Sequence, residues 1–342
     1  MSELEVITYT PSADELAWTF GGVKPVRSVR PGAVLEVWTE DCYAGKVKGP
    51  GDLVSEVCEF PFLNPQTGPF HVEGAHPGDT LAVHFVSIRP SRDYASSTTV
   101  PLFGALTSTH STATLQPPLP ERVWMYDVDR RAGTVAFTPG SGDPVVLPMD
   151  PMHGTVGVAP AAFEVRSAIV PDAHGGNLDS PEMRTGVTAY FGVNVEGALL
   201  SLGDGHCRQG EGEACGTAVE AAMDTVLAVD LVPGTATPWP RIESDEYLMT
   251  LGSAKPLEDA YRVAHVDLVD WVAELCGMDR LDAYQLVSQT AESPMAQVCN
   301  PNFTVVAKIA KRYLPGSPTA YGGAHGRLTE VAARLPSGAS VR

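Results

Sequence analysis

Glycine and proline leave few places in this chain where a long regular element can run. The 342 residues hold 33 glycines and 29 prolines, spread along the whole length. That exceeds average usage without reaching a low-complexity level. Such punctuation suits many short strands joined by turns. Alternation supports strands directly. In residues 80–88, Leu81, Val83 and Phe85 fall on one face, and Ala82, His84 and Val86 on the other. Further β-like runs lie within 13–42 and at 70–73, 122–128, 134–138, 162–170, 186–195, 198–206, 217–231 and 303–310.

One stretch is helical. From 257 to 276, Leu257, Tyr261, Ala264, Leu268, Trp271 and Leu275 recur at steps of three and four. Pro256 suits the helix start, Glu258 and Asp259 suit its positive end, and Gly277 stops it. Asp279 then caps a second helix over 280–291. Strands come in runs rather than in βαβ alternation, which makes the expected fold α+β and β-dominated, with a helical hairpin over 257–291. Residues 90–120 are rich in Ser, Thr and Pro and show no period, and 139–160 read as loop with a small hairpin. The expectation is one domain over 1–342, with 90–160 an excursion or subdomain. The last twenty residues, rich in Gly and small side chains, read as a loose terminus.

Composition narrows the function. Apolar residues make up 44% and charged residues 19%, a globular composition. The net charge of −18 repels phosphate backbones and anionic membranes, so neither nucleic acid nor membrane is an expected partner. No apolar run is long enough to span a bilayer, and the N-terminal stretch carries acids where a signal peptide has a basic start. The expected location is cytoplasmic. Six cysteines without a CxxC pair suggest neither a disulfide framework nor a thiolate zinc knuckle.

Polar chemistry concentrates at 203–220, GDGHCRQGEGEACGTAVE, after an apolar run. In an extended chain Leu200, Leu202, Asp204 and His206 share a face, with Asp204 and His206 about 6.5–7 Å apart. A core strand can thus deliver two metal-type ligands into a pocket. Glu211 and Glu213 follow among glycines, then Glu220. A second cluster, 172–180, holds His174, Asn177 and Asp179 around Gly175 and Gly176. Asp41, beside Glu40, is a third candidate, and Glu73 with His71 and His76 a fourth. His84, His110, His265 and His325 read as structural. Cys215 is the thiol nearest the acids, with His206 as a base, but neighbouring acids oppose a thiolate. No GxSxG elbow occurs.

The stretches NPQTGPFHVEGAHPGDTLAV (64–83), HGGNLD (174–179) and GALLSLGDGHCRQGEGEACGTAVE (197–220), followed by the late helical hairpin, resemble the acetamidase/formamidase family of short-chain amide hydrolases. The match runs through most of the chain in family order. Ala173 and Cys207 depart from the family pattern, and 90–160 matches least. The resemblance implies a sandwich-like core of antiparallel or mixed strands. It also implies hydrolysis of linear or cyclic amides such as formamide and acetamide, a divalent metal and assembly into a homo-oligomer.

On that basis His174, Asp204 and His206 are the expected metal ligands, with Asp41 or Glu220 completing the shell. Glu213 is the expected general base and acid, while Glu211 and Asn177 orient water or substrate. Two imidazoles with carboxylates point to zinc, with calcium the less fitting ion. Two alternatives stand beside this: a metal-free amidohydrolase using Cys215, and a non-catalytic metal- or sugar-binding β-sandwich.

Overall fold

A computed structural model describes residues 4–107 and 118–335. His110 and residues 336–342 of the expected loose terminus lie outside the described residues. The fold is β-dominated, with two large sheets face to face and helices covering one outer face.

The first sheet has nine strands. In spatial order they are Val6–Tyr9, Val34–Thr39, Met223–Val232, Thr80–Pro90, Thr188–Gly192, Arg241–Glu243, Tyr247–Ala254, Phe303–Ala310 and Met295–Gln297. All neighbours are antiparallel except the first pair. The second sheet has ten strands, and its central part is Gln66–Val72, Leu200–His206, Met152–Gly157 and Gly175–Asn177.

Alternation explains the layering. Leu35, Val37, Leu81, Val83, Phe85, Leu227 and Val229 point from the first sheet into the space between sheets, where Phe70, Val72, Leu200 and Leu202 meet them. The residues between them, Val34, Ala82, Val226 and Ala228, face the helices through Ala260, Ala264, Leu268 and Trp271. Each fully buried large aliphatic or aromatic side chain contributes about 1.5–3 kcal/mol. The helical pair is Leu257–Cys276, ended by Gly277 at φ 61°, and Arg280–Thr290, where the Asp279 carboxylate accepts from the Leu281 amide.

Several local expectations differ from the structure. Residues 162–170 form no strand beyond Arg166–Ser167, because Ala162 and Phe163 adopt left-handed φ of 56° and 58°. Met152–Gly157, read as loop, is a fully buried strand. With both faces covered it has no alternation to betray it. Within 90–120, Tyr94–Thr99 is a strand despite its hydroxyls, since the Thr217 hydroxyl bonds both the amide and the carbonyl of Thr98. Residues 217–231 form two strands, Glu220–Ala221 in the second sheet and Met223–Val232 in the first. Within the last twenty residues, Ala324–Ala333 is a helix that buries Ala324, His325 and Leu328. No helix among the described residues is long and apolar enough to cross a membrane.

Candidate metal centre and active site

Strand pairing assembles the site. Leu200–His206 carries Asp204 and His206, and Glu220 of the adjacent strand lies directly opposite His206. On the other side Thr155 pairs with Gly203 and, across the next ladder, with Asn177. Asp179 follows that strand by two residues. Glu213 sits in the connection between His206 and Glu220, which is pinned to the first sheet by the Gly212 amide bonding the Met295 carbonyl at 2.7 Å. Asp179, Asp204, Glu213 and Asn64 all take left-handed backbone, at φ 44°, 54°, 44° and 54°. For non-glycine residues this costs on the order of 1–2 kcal/mol each, and its concentration here marks a place where side-chain direction outweighs backbone ease.

The buried side chains converge on His206 Nε2. Glu220 Oε2 is 3.0 Å away, Asp204 Oδ1 3.3 Å and Asp179 Oδ1 3.9 Å. Glu213 lies with His206 and Glu220 in one group of mutually close ligand atoms, and Cys42 with Asp204 and Glu220 in another. Each of the three nearest carboxylates has its other oxygen held. Asn64 Nδ2 and the Thr155 hydroxyl donate to Asp204 Oδ2 at 2.8 and 3.0 Å. Asn300 Nδ2 donates to Asp179 Oδ2, and the Ala218 amide donates to Glu220 Oε1 at 2.7 Å. The imidazole is fixed likewise. Gln209 spends its amide nitrogen on the carbonyls of Asp179 and Ala296, so its oxygen accepts from His206 Nδ1 at 2.9 Å. That hydrogen bond aims Nε2 at the carboxylates, as outer partners do around metal-binding histidines.

The electrostatics are one-sided. Four buried carboxylates face one imidazole, and no Lys or Arg pairs with any of them among the described residues. Burial and the nearby Asp204 push Asp179 up to about 7. Burial, reinforced by Asp179, holds Glu213 well above the carboxylate range, and burial also raises Glu220. Burial disfavours charge on His206, but Glu220 and Asp204 override it and hold the imidazole well above its usual range. Burial likewise works against the Asp204 carboxylate, and the charge of His206 overcomes it and keeps Asp204 low. Asp179 Oδ1 and Glu220 Oε2 have no hydrogen-bond partner, an arrangement that is costly unless a cation arrives. Gly154 leaves room beside them, since a Cβ there would lie 2.3 Å from Asp179 Oδ1 and 2.5 Å from Asp204 Oδ2. Orphaned oxygens and a cleared space, beside an imidazole that would give up its proton to an arriving cation, fit a divalent ion.

A cavity of about 450 Å³ reaches this centre. Its polar lining includes Asn64, Asn177, Asp179, Asp204, Glu213 and Glu220. Asn177 Oδ1 accepts from Asn64 at 3.0 Å and from the Thr155 hydroxyl.

The fold thus brings together Asp204, His206, Glu213 and Glu220, with Asn177 beside them. It does not bring in His174, Asp41 or Glu211. Between His174 and Asn177 the chain turns through Gly175 and Gly176 at φ 100° and 90°. His174 is left edge-on to Phe20 at 5.1 Å, where burial lowers it to about 4. Asp41 accepts from the Tyr43 and Gly45 amides and pairs with Arg92 at 2.9 Å. Glu211 is exposed. His71 packs on Gly197, and His76 pairs with Glu196 at the surface. Cys215 is exposed and is not part of the cavity lining, while His206 is committed to the acids.

Sequence reading assigned no role to Asp179, Cys42, Asn64, Cys299 or Asn300. Asp179 and Asn64 sit at the ends of recognised motifs, which is the signal that could have found them. Cys299 and Asn300 arrive from a distant loop.

Comparisons with known proteins place the chain in a family. A family model described as the acetamidase/formamidase family matches residues 127–312. The chain belongs to that family. The solved structure of an acetamidase from Yersinia enterocolitica superposes with a TM-score of 0.86 at 37% identity, covering 92% of this chain and 94% of that one. An acetamidase from Bacillus halodurans gives 0.80 at 28% identity, covering 90% and 98%. A formamidase from Methylophilus methylotrophus is 26% identical over 251 residues, 60% of this chain. The chain spans 61% of that formamidase's length.

Proposed function

We propose that the protein is a metal-dependent hydrolase of the C–N bond of short-chain carboxamides, linear or cyclic, such as formamide and acetamide, giving carboxylate and ammonia or amine. The observation that carries this is the cluster of buried ligand atoms on Asp179, Asp204, His206 and Glu220 at the end of a cavity, with Asp179 Oδ1 and Glu220 Oε2 lacking a hydrogen-bond partner. Family membership supports the choice of amides.

Amide hydrolysis needs a nucleophilic water and a protonated leaving nitrogen. A divalent ion held by Asp204, His206 and Glu220, with Asp179, would polarise the carbonyl and make water easier to deprotonate. The imidazole among oxygens favours zinc, and the carboxylate majority keeps calcium as the competing ion. Glu213 takes the proton from water and returns it to the departing nitrogen. Burial and neighbouring acids raise its proton affinity in the metal-free protein, and a bound cation would lower it towards the range of a proton carrier. The Cys299 thiol donates to Glu213 Oε2 at 3.3 Å and steadies the carboxylate. Asn177 and Asn64 present polar groups to the substrate side of the cavity. Asp41 orders the Tyr43–Gly45 turn next to Cys42 rather than binding the ion.

Assembly into a homo-oligomer belongs to the same reading and rests on the family resemblance. The test of the function is ammonia release from formamide, acetamide and propionamide, with and without a chelator, alongside metal analysis of the purified protein. Chelator-sensitive release with about one equivalent of zinc or calcium supports the reading. Release indifferent to chelation, or none, overturns it.

A further inference from the structure

The floor of the cavity is acidic, yet its walls are apolar: Val54, Phe60, Leu63, Val100, Phe103 and Ile169. A cavity of about 450 Å³ is in the range that holds drug-sized ligands, about 300–1,000 Å³. Its volume equals that of roughly fifteen waters at about 30 Å³ each. Acetamide has four heavy atoms and would leave most of the walls wetted. Among the described residues, the only charged lining residue outside the acidic cluster is Lys255, which is exposed and holds its ammonium 4.5 Å from the Phe303 ring centroid. Four carboxylates on the floor oppose an anionic substrate.

We infer that the preferred substrate is a neutral carboxamide with an apolar acyl body of about four to eight carbons, seated against Phe103 and Ile169, rather than formamide or acetamide. This rests on the amide-hydrolase reading above. The amide carbonyl and nitrogen meet the polar floor, and the acyl chain displaces water from the apolar walls. Burial of each methylene is expected to raise kcat/KM about fourfold until the cavity is full. Phe103 and Ile169 are then specificity-determining residues.

The experiment is a series of straight-chain primary amides from formamide to octanamide on the wild-type protein, read as ammonia release. The expected result is a kcat/KM for hexanamide roughly 250-fold above that for acetamide. An amide of equal length ending in a carboxylate is expected at least about tenfold below hexanamide. In Ile169→Phe the hexanamide-to-acetamide ratio should fall at least about tenfold, because one misfitting group in an apolar pocket costs about 10–200-fold. Turnover that peaks at formamide or acetamide, or that favours the carboxylated amide, overturns this inference and leaves the hydrolase reading standing. No turnover of any member overturns both.

Discussion

Arg241 and Asp267 meet on the helical face of the nine-stranded sheet, and Asp204 and His206 meet in the opposing ten-stranded sheet. Both are buried polar networks, but they balance their charge differently. Arg241 donates from Nε and Nη2 to the two Asp267 oxygens at 2.9 and 2.5 Å, and from Nη1 to the Tyr321 hydroxyl at 2.9 Å. That hydroxyl also meets Thr237, and the guanidinium lies 4.7 Å from the Trp271 ring centroid. One cation faces one anion, and both are satisfied within the chain. Around His206, four carboxylates share one imidazole and two oxygens are orphaned. The first network needs nothing more and ties a helix to a sheet. The second leaves two buried oxygens without a partner in the chain, a deficit the proposed cation would fill.

The contrast breaks most visibly through activity. Glu213→Gln removes the proposed proton carrier while keeping size and shape. Turnover should fall about 10²–10⁴-fold, the usual contribution of a general base and acid, with metal content unchanged. Near-full activity on any hydrolysed amide would remove Glu213 from the chemistry.

Arg241→Met probes the balanced network. It leaves Asp267 buried without its partner, which costs about 3–5 kcal/mol. Urea denaturation should show that loss, while kcat of the folded fraction stays within about twofold, since the variant is remote from the cavity lining. A loss below about 1 kcal/mol would make the network a passenger.

Asp179→Asn should act with the opposite sign on the metal-free protein. Asp179 titrates at about 7 when folded and near 3.9 when unfolded. Between those values the folded state keeps a proton that the unfolded chain has released. Metal-free stability from this group is therefore fully present below about pH 4 and is lost as pH rises through about 7. Asparagine removes the slope. At pH 8 the metal-free variant should be more stable than wild type by at least about 1.4 kcal/mol, the equivalent of one pKa unit, while its metal affinity drops about 10–100-fold. Denaturation of chelated protein at pH 5 and pH 8 checks the first part, and metal titration the second. A less stable variant at pH 8 would show that the acids are not in conflict.

What could be read from the sequence follows the same division between local and assembled features. The faces of Leu81, Val83 and Phe85, the helical spacing of Leu268 and Trp271, and the Asp279 cap are local patterns, and each appears where expected. Asp204 and His206 were legible because a single strand presents both. Asp179 was not, because it reaches Asp204 only through the pairing of Gly175–Asn177 with Met152–Gly157. That second strand is buried on both faces and carries no periodic signal. His174 misled for a related reason: two glycines separate it from Asn177, and their left-handed turn is invisible to a count of spacings.

Glu211 provides the smallest expected effect and the finest test of position. It lies two residues from Glu213, in the same glycine-rich connection, and sequence reading gave both a role. Glu213 turns inward at φ 44° and is 6% exposed, whereas Glu211 stays in solvent. An exposed carboxylate away from any network is worth less than about 0.5 kcal/mol. Glu211→Gln should therefore change stability by no more than that and kcat/KM by less than about twofold. A tenfold loss of kcat with unchanged KM would mean that the connection moves during turnover and carries Glu211 into the cavity beside Glu213. The two acids would then differ only in when they face the substrate.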